Sequence, residues 1–409
     1  MGNIKVALLG FGTVGEGVYQ VIQTHQQRLE SLLGKKVEVV GILVQDDSKQ
    51  RAIDKGILLS SDIDQIINIP ELEVVVEAIV GVEPGYSYVT KILKKGIHVI
   101  TANKELLAHK GAELRKIANE YNARLEYEAA VAGGIPVIST LKHLLRLNSV
   151  VKIEAILNGT SNYILTDIRE KQSSFHEALL LAQQNGYAEA DPSNDIDGWD
   201  AFYKLMIISD LLFGSQPDWK DIPHKGIRHV EAAHIEAAKS IGYRIKHVAT
   251  LENINGLIYA SIEPILVSKE HALYSVEGVN NSIIITGDVV GELSLQGPGA
   301  GSFPTASAII EDLVNIYKLN DEKLVTDDVS FASKNINQQQ EWLMIGPLEP
   351  MTNIEIVSEW LVPIGLQSIQ CSQVRGSYQE VKEIVDRSQD ITGFRINILP
   401  ISEKEIATV

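Results

Sequence analysis

The sequence predicts an α/β protein: a doubly wound parallel sheet first, then a separate α+β domain and a small C-terminal unit. Three observations predict it. Over about the first 130 residues, short apolar runs alternate with helical stretches. Those runs are continuously apolar, which is the pattern of strands covered on both faces. The first of them also leads directly into a glycine-rich turn at the mouth of a helix, GFGTVG.

Taken in order, IKVALLG is a buried strand, and a helix follows from about 13 to 33. VEVVGILV is the second strand, EVVVEAIV the third, GIHVIT the fourth and ARLEYEA the fifth, with helical segments such as NKELLAHKGAELRKIANEY between them. The middle changes character. VVKIEAILN reads as a strand, followed by helices around 162–171, 174–185 and 199–213. Strand-like runs come next: YRIKHVATLENI, LIYASIEPILV and NSIIITGDVVGELSL. The last helix of this unit, TASAIIEDLVNIYKL, is read as returning to the first domain. DEKLVTDDVSFASKNINQQQ is polar and reads as a linker. The final stretch of about seventy residues runs strand, helix, strand, helix, strand through EWLMIGPL, MTNIEIVSEWLVPIGL, QSIQCSQV, YQEVKEIVDRSQ and FRINILP. The expected division is therefore a first domain at 1–130, completed by a helix near 302–318, a second at 131–320, a linker at 321–342 and a third unit at 343–409.

Composition bounds the function. A chain of 409 residues exceeds one typical core and predicts two or three domains. Hydrophobic residues at 45% and charged residues at 22% describe an ordinary folded protein. The formal net charge of −17 argues against nucleic acid or an anionic membrane as the main partner, because both need a basic face. Anionic cofactors bound by local backbone amides remain compatible with it. Cys371 is the single cysteine, so no intramolecular disulfide can form, and a reducing cytoplasm fits. MGNIKVALLG has no signal-peptide pattern, and Val6 stands where a myristoylation signal needs Ser or Thr. No apolar run approaches the ~18 residues of a membrane span.

In GFGTVG, Gly10 allows the tight turn, Gly12 lets backbone approach a pyrophosphate and Gly15 allows close helix–strand packing. Phe11, Thr13 and Val14 complete the loop, and the helix N-terminus supplies amide donors with a partial positive charge. The first domain is thus expected to be a Rossmann-type dinucleotide-binding domain. NAD and NADP both stay open: the second strand ends in GILVQDDSKQR, where Gln45 precedes Asp46 and Asp47, with Lys49 and Arg51 just beyond. An acid there favours a free ribose 2′-hydroxyl and a base favours a 2′-phosphate.

ITANKELLA puts Asn103 and Lys104 after the fourth strand, at the edge where open α/β sheets bind ligands. Lys104 near the nicotinamide end of the cofactor has one competing reading of equal weight, in which Asn103 caps the helix and Lys104 is solvated. GYAEADPSNDIDGWDAFYK, residues 186–204, carries Glu189, Asp191, Asp195, Asp197, Asp200 and Lys204 directly before the apolar LMIISDLLF. A calcium loop fails here, because aligning Gly198 on the loop glycine puts Ser193 first and Lys204 last. The histidines show no HExxH spacing, which argues against zinc. Asp200 and Lys204 are four apart and share a helical face. On a solvated face such a pair is worth only ~0.3–0.5 kcal/mol. Their neighbours are Phe202, Leu205, Met206, Ile207 and Ile208, however, so Lys204 is expected to be partly desolvated, with a lowered pKa suited to proton transfer near neutrality. The remaining carboxylates suit a substrate with an ammonium group.

GFGTVG, TANKELLA, EAAVAGGIPVI, NGTSNYIL, the acidic stretch and GPGAGSFPTASA occur in that order. On these strings the chain resembles the homoserine dehydrogenases over about residues 1–320. The resemblance implies reversible reduction of L-aspartate 4-semialdehyde to L-homoserine with NADPH or NADH, a step toward threonine, methionine and isoleucine. It implies that Lys204 is the proton donor and acceptor, that Asp200, Glu189 and Asp195 line the substrate site, and that Lys104 lies near nicotinamide and substrate. It places Gly186 and Gly301 beside the cofactor, and Glu128, Val131, Gly133 and Ile135 around a monovalent cation, sodium or potassium, held largely by backbone carbonyls. A homo-oligomer, dimer or tetramer, is implied as well.

The sequence departs from the family in three places. Gln45 stands where many relatives have a basic residue, and Val80 where relatives often have glycine. The C-terminal unit is similar to a βαββαβ ACT regulatory domain, but PLEPMTN replaces the usual effector turn, so a dimerisation module is an alternative to a threonine sensor. Two other functions compete. A non-catalytic regulatory homologue is opposed by the intact Lys104, Glu189, Asp200 and Lys204. Another amino-acid or semialdehyde dehydrogenase is opposed by the acidic stretch together with GPGAGSFPTASA.

Overall fold

β1 (Ile4–Leu9) shows how the first sheet is held. Ile4, Val6 and Leu8 enter one apolar cluster, while Ala7 and Leu9 enter another on the opposite face. Both sets are buried, so the strand needs helices on each side and can carry no polar alternation. The computed structural model describes residues 2–318, 329–332, 339–348, 354–364, 367–388 and 391–396. After β1 come α1 (Thr13–Thr24), α2 (Gln26–Leu33), β2 (Val37–Leu43), β3 (Leu58–Ser60), α3 (Ile63–Ile67), β4 (Leu72–Glu77), α4 (Gly85–Leu93), β5 (His98–Thr101), α5 (Lys104–Glu120) and β6 (Leu125–Glu126). These strands form one sheet in the order β3-β2-β1-β4-β5-β6, and each neighbouring pair is parallel. The strand order reverses between β1 and β4, and the crevice beyond their carboxyl ends is the binding edge of such a sheet.

The second region contains α6 (Ala129–Ala132), α7 (Val137–Leu144), β7 (Val150–Ile156), α8 (Gly159–Lys171), α9 (Phe175–Gln184), α10 (Ser193–Ile196), α11 (Trp199–Phe213) and α12 (Ala232–Ser240). It continues with β8 (Arg244–Ile254), β9 (Leu257–Val267), β10 (Asn280–Gly287), β11 (Gly291–Pro298) and α13 (Ser302–Lys318). α13 lies on α1: Ala306, Ile309 and Leu313 share a cluster with Val18 and Ile22, and Ser302 Oγ donates to Thr13 O at 2.8 Å. α11 is buried almost all round. Its Phe202, Leu205, Ile207 and Ile208 join a cluster that runs from Leu106 and Leu107 of α5 to Ile153, Ile262 and Ile283 of the second sheet. A helix apolar on every side has to be buried in this way. No helix among the described residues is long and apolar enough to cross a membrane.

The last elements are β12 (Ser330–Phe331), β13 (Gln340–Ile345), β14 (Glu355–Ile364), β15 (Gln367–Gly376), α14 (Tyr378–Arg387) and β16 (Thr392–Ile396). They do not form a separate sheet. β16 pairs in parallel with β9, giving the order β11-β10-β7-β8-β9-β16-β13-β15-β14, with β12 also on β9.

Several expectations need correction. MTNIEIVSEWLVPIGL was expected to be a helix, but its described part is β14, so the strand–helix–strand–helix–strand order does not hold. Ile356, Val357, Val362 and Ile364 favour a strand, and Pro363 would break a helix interior. Trp360 of β14 stands opposite Cys371 of β15. The single helix expected over 13–33 is two, because the backbone leaves helical geometry at His25. β3 was missed, being only three residues long. Within the expected linker 321–342, residues 330–331 add a short strand to β9 and 340 begins β13, while 321–328 and 333–338 lie outside the described residues. Residues 349–353 of PLEPMTN lie outside them too.

Candidate active site

The glycine loop joins β1 to α1. Gly10 has φ +94°, a left-handed conformation open to glycine, and a Cβ there would stand 2.8 Å from Ala78 O. A Cβ at Gly15 would stand 2.2 Å from Gly10 O, so the first turn of α1 can approach the loop only with glycine. Around Gly12 nothing lies within 4 Å of a Cβ, and Gly12 and Thr13 are exposed, which leaves their side open to a ligand. Phe11 packs edge-on to Tyr19, and Val14 packs against the cluster shared by α1 and α13. Gly301 precedes α13, whose first residue is bonded to Thr13. This cradle fits a pyrophosphate at a helix N-terminus. Gly15→Val is expected to raise the Kd for the dinucleotide roughly tenfold or more, the equivalent of one or two lost hydrogen bonds, which isothermal titration of the folded variant checks.

The acidic stretch divides into two groups. Asp191 accepts from Ser193 N at 3.1 Å and Ser193 Oγ at 2.6 Å, and Asp197 pairs with Arg228. Asp191 holds its own turn, and Asp197 ties that stretch to Arg228, outside the stretch. Asp200 and Lys204 face inward from α11, 3% and 7% exposed. Lys204 Nζ donates to Asp200 Oδ2 at 2.7 Å and to Leu157 O at 2.6 Å. Lys104, the first residue of α5, brings its Nζ to 2.5 Å from Asp200 Oδ1. One carboxylate therefore lies between two ammonium groups. Asn103 does cap α5, accepting from Leu106 N at 3.0 Å, while Lys104 is not left to solvent but paired with Asp200.

Three contributors were not foreseen. Asn158, the cap of α8, donates to Asp195 Oδ1 at 2.7 Å and to Asp200 Oδ2 at 2.9 Å. The Leu157 carbonyl also accepts from Asn281 Nδ2 at 2.8 Å, and a Cβ at Gly299 would strike that amide. Asn-Gly-Thr-Ser after a strand signals a helix cap. Nothing in the string signals that its amide bridges two distant acids.

The charges set the chemistry. Burial pushes the Lys204 ammonium below its ordinary pKa, with Asp200 opposing and Lys104 assisting. Burial favours protonation of Asp200, but the Lys104 and then the Lys204 ammonium hold it well below the usual carboxylate range. Lys104 is raised, chiefly by Asp200, with Asp195 and Glu189 adding to it. Burial, and then the Asp200 charge, raise Asp195. Glu189 itself is exposed. Gly186 follows α9 at φ +74°, and nothing lies within 4 Å of a Cβ there. The structure thus brings together Lys104, Asp195, Asp200 and Lys204, with Glu189 at the edge.

Glu128, Val131, Gly133 and Ile135 lie apart, around α6. The Glu128 carboxylate is occupied by Ile138 N at 2.7 Å and Ser139 N at 2.8 Å, at the start of α7. Gly133 packs on the Gly299 carbonyl.

A family model described as homoserine dehydrogenase matches residues 136–314, and one described as its NAD binding domain matches 10–128. A homoserine dehydrogenase of Bacillus subtilis is 39% identical over 319 residues, 78% of this chain and 74% of that protein. The chain belongs to the homoserine dehydrogenase family. A crystal structure of a homoserine dehydrogenase from Thiobacillus denitrificans superposes with a TM-score of 0.88 at 29% identity, covering 97% of this chain and 98% of that one. A hyperthermophilic archaeal homoserine dehydrogenase in complex with NADPH gives 0.68 at 26% identity, over 79% of this chain and all of that one. As a homoserine dehydrogenase family member the chain is an NAD(P)-dependent oxidoreductase, and its parallel sheet with the open glycine loop is the nicotinamide-cofactor domain.

Proposed function

We propose that the chain catalyses the reversible NAD(P)H-dependent reduction of L-aspartate 4-semialdehyde to L-homoserine, with Lys204 as proton donor and acceptor. The observation that carries this reading is a buried Lys204 with two of its three N–H groups engaged, by Asp200 and by Leu157 O. One N–H remains for a substrate oxygen.

The cofactor, NADP or NAD, would be held by Gly10–Gly15, with Gly186, Gly301 and Lys104 completing its surroundings. Bound there, it supplies or accepts the hydride. The chain's residues do the rest. In reduction, Lys204 gives a proton to the oxygen of the aldehyde; in oxidation, neutral Lys204 takes the alcohol proton. Asp200 orients Lys204 and balances its charge. Glu189, Asp195 and Asp200 offer carboxylates to the substrate ammonium, in the space where they also act on Lys104. Burial excludes water from the transfer and strengthens each of these charges.

Two parts of the reading lie away from this cluster. Carbonyls of the turn at Glu128, Val131, Gly133 and Ile135 would hold sodium or potassium; a turnover rate that depends on the cation at constant ionic strength tests it. A homo-oligomer, dimer or tetramer, accords with exposed Val289 and Val290 beside the edge strand β11, and light scattering reads its size. The reaction itself is tested by incubating L-aspartate 4-semialdehyde with NADPH and, separately, NADH. L-Homoserine formed in equal amount to the cofactor oxidised supports the reading; cofactor oxidation without homoserine points to another semialdehyde dehydrogenase.

A further inference from the structure

Glu77 ends β4 and is 0% exposed. It takes no direct part in the proton-transfer cluster, yet its carboxylate ties together two loops at the binding edge. One oxygen accepts the Thr101 hydroxyl at the end of β5. The other accepts Ile79 N at 2.8 Å and Asn103 Nδ2 at 3.4 Å. Thr101 Oγ1 in turn accepts Asn103 N at 3.0 Å, and Asn103 Nδ2 also donates to Gly81 O at 2.8 Å. Asn103 caps α5, and the next residue is Lys104, whose ammonium meets Asp200. Ala78, adjacent to Glu77, supplies the carbonyl against which Gly10 of the glycine loop packs.

Every hydrogen bond to this carboxylate is donated to it. The amides of Ile79 and Asn103 cannot accept a proton from a neutral Glu77. Thr101 alone could do so, by turning its hydroxyl and giving up the bond it donates to the carboxylate. The surroundings therefore suit the anion, although no cation faces it among the described residues. Glu83 before α4 is engaged by Ser87, Lys104 by Asp200, and Glu105 acts on Tyr203. Lys5, Glu73 and His98, toward the far ends of β1, β4 and β5, engage Glu71, Tyr317 and Arg124. Burial without a counter-charge pushes the Glu77 carboxyl up to about 7, against its three hydrogen-bond partners Thr101, Ile79 and Asn103.

We propose that Glu77 is a positioning residue for the reaction: its ionised carboxylate holds the Asn103 cap and the 79–81 loop so that Lys104 and the cofactor crevice keep their productive geometry. This rests on the reaction proposed above. Protonation of Glu77 loosens both loops, so reduction of the semialdehyde weakens in acid, where Lys204 is already protonated.

The test is the pH profile of kcat for semialdehyde reduction by the full chain and by Glu77→Gln. Wild-type kcat is expected to fall roughly tenfold between about pH 8 and pH 6, as a group titrating near 7 takes up its proton. Glu77→Gln is expected to be roughly tenfold to a hundredfold slower at pH 8 and to lack the inflection near 7, so the ratio of the two rates shrinks several-fold toward pH 6. Thr101→Val removes one donor to the carboxylate and should move the inflection to higher pH; it carries the test if Glu77→Gln does not fold. A wild type without turnover contradicts the reaction. A wild type that turns over, with variants that keep its kcat and its inflection, overturns the role of Glu77.

Discussion

Lys204→Met is expected to lower kcat for L-homoserine oxidation by roughly 10²–10⁴-fold, the range supplied by a positioned general base. Methionine keeps the length and apolar stem of the side chain, so α11 should stay packed between α5 and the second sheet. The variant leaves Asp200 with Lys104 as its single cation at 2.5 Å. Cofactor binding, which uses the glycine loop, should change little. Steady-state kinetics with calorimetric binding of NADP or NAD separates the two effects: a large loss in kcat with an unchanged Kd is the expected pattern.

Asp200→Asn is expected to cost about 3 kcal/mol of stability as well as turnover, the lower end for breaking a buried pair from one side. The lower end applies because the Lys104 side chain is 44% exposed and Lys204 can release its proton. The sign with pH follows from the depressed pKa of Asp200. The folded state ionises this acid more readily than the unfolded chain, so its contribution is present above the ordinary carboxylate range and is lost as pH falls below it. The gap in Tm between wild type and variant should thus hold steady from neutrality to about pH 5 and narrow in stronger acid. Adding Lys204→Met to Asp200→Asn should restore part of the stability and none of the activity, because the two side chains act as a unit. A pair of variants whose losses in Tm simply add would contradict the coupling.

Much of this arrangement was legible in the sequence where local chemistry and tertiary structure agree. GFGTVG needs glycine for contacts made within a few residues, Gly15 against Gly10, so the string carries its own geometry. The spacing of Asp200 and Lys204 within an apolar helix announced a buried pair for the same reason. Contacts made across the fold were not legible. Asn158 reads as a helix cap, and its bridge to Asp195 and Asp200 depends on where α8 lies beside α10 and α11. Glu77 reads as the polar end of a strand; its importance appears only when Thr101 and Asn103 arrive from β5 and α5. The C-terminal error has a similar origin. The spacing within MTNIEIVSEWLVPIGL admits a helix, but pairing with β15, which the periodicity does not show, draws Glu355–Ile364 into a strand.

The most direct measurement is the rate of L-homoserine oxidation by the wild-type chain against pH, with saturating NADP and, in parallel, NAD. Turnover with at least one cofactor is expected, with kcat rising through the alkaline range as Lys204 loses its proton at a pKa below that of an ordinary lysine. No turnover in folded protein, or a kcat flat from neutral to alkaline pH, would contradict Lys204 as the proton acceptor of this reaction.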